Sequence, residues 1–212
     1  MASAAVHYQQ ATHNKNLTDF LLAQVPATYY DWAITAAFYS SIHWVEAFFF
    51  FIPGVVHTES SIPTNPENGE IRYSPHGWRE QLVRDRCDPD VWKGFRILHE
   101  ASQTVRYLSN RQRISQDKPA VSIYSLADAK KIVETSMAKI LMSDKFRILS
   151  AVMGGCSRGE MLTDDSMRVI VAGYGNYTQY MTNPKMLEER LSPTEYQKFS
   201  RNNVLLGLWK AS

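Results

Sequence analysis

The chain has 212 residues, 44% hydrophobic and 21% charged, enough for one substantial buried core with room for an appendage. Lys and Arg number 23 against 21 Asp and Glu, and the net charge of +2 excludes a partner held by bulk charge alone; a nucleic acid would have to meet a local basic patch. Two cysteines, Cys87 and Cys156, stand without Cys or His companions, which argues against a zinc site and predicts free thiols in a reducing compartment.

The first fifteen residues, MASAAVHYQQATHNK, lack the basic and apolar regions of a secretory signal, and the expected location is cytoplasmic. Residues 1 to about 25 predict an amphipathic helix on Ala5, Tyr8, Ala11, Leu17, Phe20, Leu21 and Ala23, interrupted around His13-Asn14-Lys15-Asn16. Pro26 marks its end.

Tyr29 to Val56 is the stretch around which the rest must pack. Past Asp31 it holds one acidic residue, Glu46, and no Lys or Arg. Ala33, Ala37 and Ser41 recur every four residues and make a face where another backbone can come close. Ile34, Phe38, Ile42, Val45 and Phe49 make a second, bulky stripe. A bilayer span needs about 20 apolar residues. Tyr39, Ser40, Ser41, His43 and Glu46 interrupt this one, so it reads as a core helix and no membrane is expected. Asp31 suits the positive end of the helix dipole. His43 and Glu46, three residues apart, read as a buried polar pair that fixes helix register. Pro53-Gly54 ends the helix.

Residues 53 to 78 read as a loop rich in Pro, Gly, Asn and Ser, and loops this long are disproportionately functional. It carries His57, Arg72 and His76 and leads into Arg79. Trp78-Arg79 starts a short helix through Val83 and Arg84. Residues 88 to 110 give the clearest helix, with Asp88 as N-cap and Pro89 at the first helical position. Trp92, Phe95, Leu98, Val105 and Leu108 form its apolar stripe, with Ser102 in the gap. Arg96, His99, Gln103, Arg106 and Asn110 form a second face, which is either solvated or aimed at phosphates or a dimer partner. Arg111 and Arg113 continue its basic character into a connection that holds Pro119.

Ser125 to Asp128 is a start signal close to a capping box for a helix to about Met142. Beyond Asp144 come an apolar run at Phe146–Met153, Gly154-Gly155, an ambiguous segment Met167–Ala172 and Gly173-Tyr174-Gly175. That Gly-x-Gly lacks the strand–loop–helix context of a phosphate loop. Ser192-Pro193-Thr194-Glu195 opens a last helix to about Trp209.

No Gly-x-Ser-x-Gly, His-Glu-x-x-His, P-loop or Cys-x-x-Cys motif occurs, and neither a metal nor a cofactor is expected. What remains is histidine with arginine. That pair can take a proton from a ribose 2′-OH and stabilise charge on a phosphorane without metal.

The run Asp31-Trp32-Ala33 through Phe38-Tyr39, then His43 and Val45-Glu46-Ala47, resembles the signature helix of a branch of HEPN-domain proteins. In that branch a loop with His follows, then His-x-x-Arg, here His57 and His76-Gly77-Trp78-Arg79. A helix ending in Ser-x-x-x-Arg-Tyr comes next, here Ser102 to Arg106-Tyr107. The resemblance covers roughly residues 5 to 143. It implies an all-α, up-and-down bundle at 1–143, often dimeric, acting around RNA in toxin, defence or stress systems. Residues 144–212 would be a mostly helical C-terminal appendage packed on it. The family's ribonucleases carry Arg, four to six residues, then His. This chain departs from that: three residues separate Arg72 from His76, and two separate Arg96 from His99.

Three readings follow. The leading one is a module without catalysis of its own that dimerises and binds RNA, a nucleotide or a protein partner. Arg72, Arg96, His99, Arg106 and Tyr107 are then its phosphate-contacting residues. The second is a metal-independent endoribonuclease with His76 as acid or base, Arg79 and Arg106 on the phosphate, and His43 or His57 in support. The third places the specific function in residues 145–212.

Overall fold

The structure, a computed structural model, describes residues 3–24, 26, 28–52, 55, 62–107, 123–143, 145–147, 149–150, 153 and 193. Pro53-Gly54, His57, Arg111, Arg113, Gly154-Gly155, 167–175 and the final helix expected beyond Pro193 lie outside the described residues. Five helices are described: α1 (Ala4–Ala23), α2 (Tyr30–Phe49), α3 (Pro75–Arg86), α4 (Pro89–Tyr107) and α5 (Leu126–Leu141). Among the described residues there is no strand, only an isolated antiparallel bridge between Thr64 and Ile71. The fold is all-α.

α2 is the central rod. Fifteen of its twenty residues are buried, so it is covered on nearly every side, as a core helix must be. No described helix is long and apolar enough to cross a membrane. α2 packs against α1, α4 and α5, and α3 packs beside α4. Phe38, Phe48, Phe49 and Phe51 are fully buried, together with Phe95 of α4 and Phe146. Each such side chain contributes about 1.5–3 kcal/mol relative to an exposed one. Phe146, Leu149 and Met153, beyond residue 143, belong to this same core, and Phe146 lies 5.3 Å from the Phe48 ring.

α1 differs from its expected form in two ways. It runs unbroken through His13–Asn16, because polar side chains there bond along the helix. Gln10 Nε2 donates to Asn14 Oδ1 at 2.9 Å, and Lys15 reaches Asp19 at 2.6 Å. Its buried stripe is also not the bulky one. Ala4, Ala11 and Thr18, seven residues apart, face inward, while Leu17 and Phe20 are exposed. The small face of α2 explains this: it admits the α1 backbone closely enough for Ser40 Oγ to donate to the Ala11 carbonyl at 2.8 Å.

α3 starts three residues earlier than expected. Ser74 accepts the Gly77 N–H at 3.1 Å and Pro75 occupies the first turn, so His76 stands on a helix, not in the loop. Before it, Thr64 to Ile71 folds back through a turn in which Gly69 takes a positive φ of 71°. α4 and α5 start close to where their sequence signals place them, and α5 carries the full capping box of Ser125 with Asp128. Lys139 and Lys145 reach Asp90 and Asp88 at the start of α4, at 2.9 and 3.1 Å. Burial pushes the Cys87 thiol up to about 12, so it stays protonated and unreactive at neutral pH.

α4 and α5 approach closely at Gly94, where an added Cβ would lie 2.7 Å from the Ser136 carbonyl oxygen. Gly94→Ala would gain about 1 kcal/mol of helix propensity. A backbone oxygen cannot rotate away, so a net loss of roughly 1–3 kcal/mol is expected in urea unfolding. A variant at least as stable as the wild type would contradict this packing.

Candidate functional site

The Phe38 ring, buried on α2, is the floor of a polar cluster. His99 of α4 stacks on it, 5.0 Å between centroids and 14° between planes. His76 of α3 meets it edge-on at 5.7 Å, and the Arg106 guanidinium carbon lies 5.9 Å from it. The two imidazoles are 6.1 Å apart. Spacing explains the convergence. His76, Arg79 and Glu80 fall at i, i+3 and i+4 on α3; His99, Gln103 and Arg106 fall at i, i+4 and i+7 on α4. Each set lines one face of its helix.

Each polar group is held differently. Arg106 Nη1 donates to the Tyr39 hydroxyl at 2.9 Å, and Nε donates to the Ser102 carbonyl at 3.3 Å. Its guanidinium lies over the rings of Tyr39 and Tyr107, at 5.4 and 4.9 Å. Among the described residues, Arg106 Nη2 is buried and has no hydrogen-bond partner, and the same is true of His76 Nδ1. His99 places Nδ1 2.9 Å from Glu80 Oε2 and Nε2 3.2 Å from the Gln103 amide nitrogen. A proton on His99 Nδ1 satisfies both contacts at once: Nδ1–H donates to Glu80, and Nε2 accepts from Gln103.

Burial holds His76 below its ordinary value of 6.5, and the charges of Arg79, His99 and Arg106 add to the shift. It is therefore a neutral imidazole at neutral pH. The hydrogen bond from His99 lowers the Glu80 carboxyl and outweighs the opposing effect of burial.

Behind the cluster runs a second polar chain. The Glu46 carboxylate, 2% exposed on α2, accepts from Arg79 Nε of α3. One turn earlier, His43 Nδ1 lies 3.0 Å from His7 Nδ1 of α1, so the two rings share one hydrogen. Burial, followed by His7, lowers the His43 pKa, against an opposing pull from Glu46.

The structure thus gathers His76, Arg79, His99 and Arg106 of the expected site residues, with His43 and Glu46 behind them. Tyr107 sits at the edge, exposed beside Arg106. Arg72 is exposed over the Tyr73 ring, apart from the cluster. Arg96 pairs outward with Glu100 at 2.8 Å and lies over Trp92. Sequence reasoning missed Phe38 as a floor, Tyr39, Glu80 and His7, and it placed Gln103 on the face it shares with His99 and Arg106. Glu80 was detectable as the residue four positions after His76, once that stretch was read as helix. Among the described residues, no three His, Cys, Asp or Glu side chains gather as a metal site would need. No family model matches the chain, and no curated protein or solved structure matches it either.

Two predictions follow from this geometry. Glu46→Ala strands the half-buried Arg79 and should cost about 3–5 kcal/mol in urea unfolding, whereas Asp19→Ala, at a surface pair, should cost no more than about 1 kcal/mol. Equal costs would show that the Glu46–Arg79 contact carries no special weight. Because His43 and His76 titrate lower when folded, the unfolded chain binds protons first. Stability should be full above pH 6.5 and fall as pH drops below it, before Glu80 contributes its own loss below 4.5. Midpoints measured across that window should fall for the wild type and stay flatter for a His43→Asn, His76→Asn variant.

Proposed function

We propose that the chain is a HEPN-like helical module that binds RNA or a nucleotide, with a phosphate group seated at the His76–His99–Arg106 cluster. One observation carries this reading. Among the described residues, Arg106 Nη2 and His76 Nδ1 are both buried beside Phe38 without a hydrogen-bond partner. An unmade bond of this kind costs roughly 1–3 kcal/mol per group, and a phosphate oxygen and a ribose hydroxyl are partners that would recover it. Arg79 is occupied by Glu46, so Arg106 is the phosphate anchor and Arg79 holds α3 in place. The resemblance adds the expectations of a homodimer and of defence or toxin biology, and a protein partner fits the same module.

A second reading is favoured by the pair of imidazoles. They stand 6.1 Å apart, and one is held by a carboxylate. In a metal-independent ribonuclease, neutral His76 would take the 2′-OH proton as the 2′-oxygen attacks phosphorus. Arg106 would stabilise the phosphorane, and His99, after taking a second proton at Nε2 with the Gln103 amide turned to accept it, would pass that proton to the departing 5′-oxygen.

One experiment separates the two. Purified protein is incubated with single-stranded and structured RNA at low salt in the presence of a chelator, beside His76→Ala and Arg106→Gln. Binding reduced roughly tenfold or more by Arg106→Gln, with intact RNA, is the expected result. Cleavage by the wild type that is lost in His76→Ala would establish the ribonuclease instead. No binding by any RNA or nucleotide would overturn the phosphate site and leave the protein-partner role.

A further inference from the structure

Resting on the phosphate-binding reading, we infer that the cluster is built for the single negative charge of an internal phosphodiester in a single-stranded nucleic acid, and that it discriminates against terminal phosphates. The argument is a count of charges. Of the three arginines on the inward and neighbouring faces, Arg79 is answered by the Glu46 carboxylate and Arg96 by Glu100. The Glu80 carboxylate is engaged by His99. Among the described residues, Arg106 is the cation of the cluster that contacts a hydroxyl, a backbone carbonyl and aromatic rings but no carboxylate.

One unanswered guanidinium matches one charge. A phosphodiester carries one; a phosphate monoester carries close to two at neutral pH, and a nucleoside triphosphate more. The surplus charge would sit in a partly desolvated cluster that also holds the Glu80 carboxylate, where like charge is disfavoured. Sites built for multiply charged phosphates use several cations or a run of free backbone N–H groups. Here the first turn of α3 has Pro75 at its start, and the Gly77 N–H is already taken by Ser74.

The aromatic edge narrows the class further. Tyr107 is 62% exposed, and its ring packs on the same guanidinium that anchors the phosphate. A base next to the bound diester would meet that ring, and stacking of this kind requires a base freed from a duplex. A diester in a lipid headgroup would share the Arg106 contact and leave Tyr107 unused.

The test is competition against a labelled single-stranded oligoribonucleotide, read by fluorescence anisotropy on the full chain. The competitors are a dinucleoside monophosphate, a nucleoside 5′-monophosphate, a nucleoside triphosphate, dimethyl phosphate and glycerophosphocholine. The dinucleoside monophosphate should compete roughly tenfold or more better than the mononucleotides, despite its lower charge. It should also outcompete dimethyl phosphate and glycerophosphocholine, and Tyr107→Ala should remove that second advantage. Arg106→Gln should reduce the salt dependence of probe binding by about 0.7 in log–log slope, the value for one lost contact to a single strand. A mononucleotide that competes as well as the dinucleotide overturns the inference while leaving the phosphate site standing. Glycerophosphocholine competing as well as the dinucleotide overturns the nucleic-acid assignment. A probe that does not bind at low salt overturns the phosphate site itself. The competitor series uses wild-type protein throughout, so an unfolded variant cannot account for its outcome.

Discussion

The contact on which the site depends is the buried pair of Glu46 on α2 and Arg79 on α3. A carboxylate that is 2% exposed is costly unless it is matched, and the cost is met only when α3 lies where Arg79 can reach it. That requirement fixes the position of a short helix with few buried residues of its own, Leu82 and Val83. His76 and Glu80 share the inward face with Arg79, so placing the arginine also places the imidazole and the carboxylate. The cluster around Phe38 is therefore assembled by an ion pair that takes no direct part in it.

α2 serves three purposes along one rod. Its small face takes the α1 backbone, its phenylalanines build the core, and Phe38 and Tyr39 form the floor and wall of the polar cluster. This arrangement places a neutral histidine, a carboxylate-held histidine and an arginine against one aromatic ring. Desolvation is what makes the combination chemically useful. It keeps His76 unprotonated, and it makes an unmet donor on Arg106 worth satisfying. The charges are arranged conservatively: two of the three arginines are already neutralised, which favours a selective contact over a generally sticky basic surface.

Much of this was legible in the chain. A segment with one charge past its first turn, flanked by a small-residue face and a bulky stripe, had to be a core helix. α4 starts at Pro89, where the Asp88-Pro89 signal puts it, and the Ser125–Asp128 signal was sufficient to start α5 because a cap is a local interaction. His76, Arg79, His99 and Arg106 could be singled out as residue types suited to phosphate chemistry. The errors were of two kinds. On α1, bulk was mistaken for burial: Leu17 and Phe20 looked inward-facing, yet Ala4, Ala11 and Thr18 face the core because the partner surface is small. At Ser74-Pro75, the cap was hidden inside a stretch read as loop.

The sequence by itself determined the helical class, the central helix, most of its neighbours and the chemical types available for a site. Periodicity and capping act over a few residues, and a single chain displays them. Only the tertiary structure decided which charges meet. Glu46 is 33 positions from Arg79, His7 is 36 from His43 and Tyr39 is 67 from Arg106. No local pattern encodes those separations, because they follow from how whole helices pack. Among the described residues, that packing gives Arg79 a carboxylate and leaves Arg106 on a hydroxyl, a backbone carbonyl and aromatic rings.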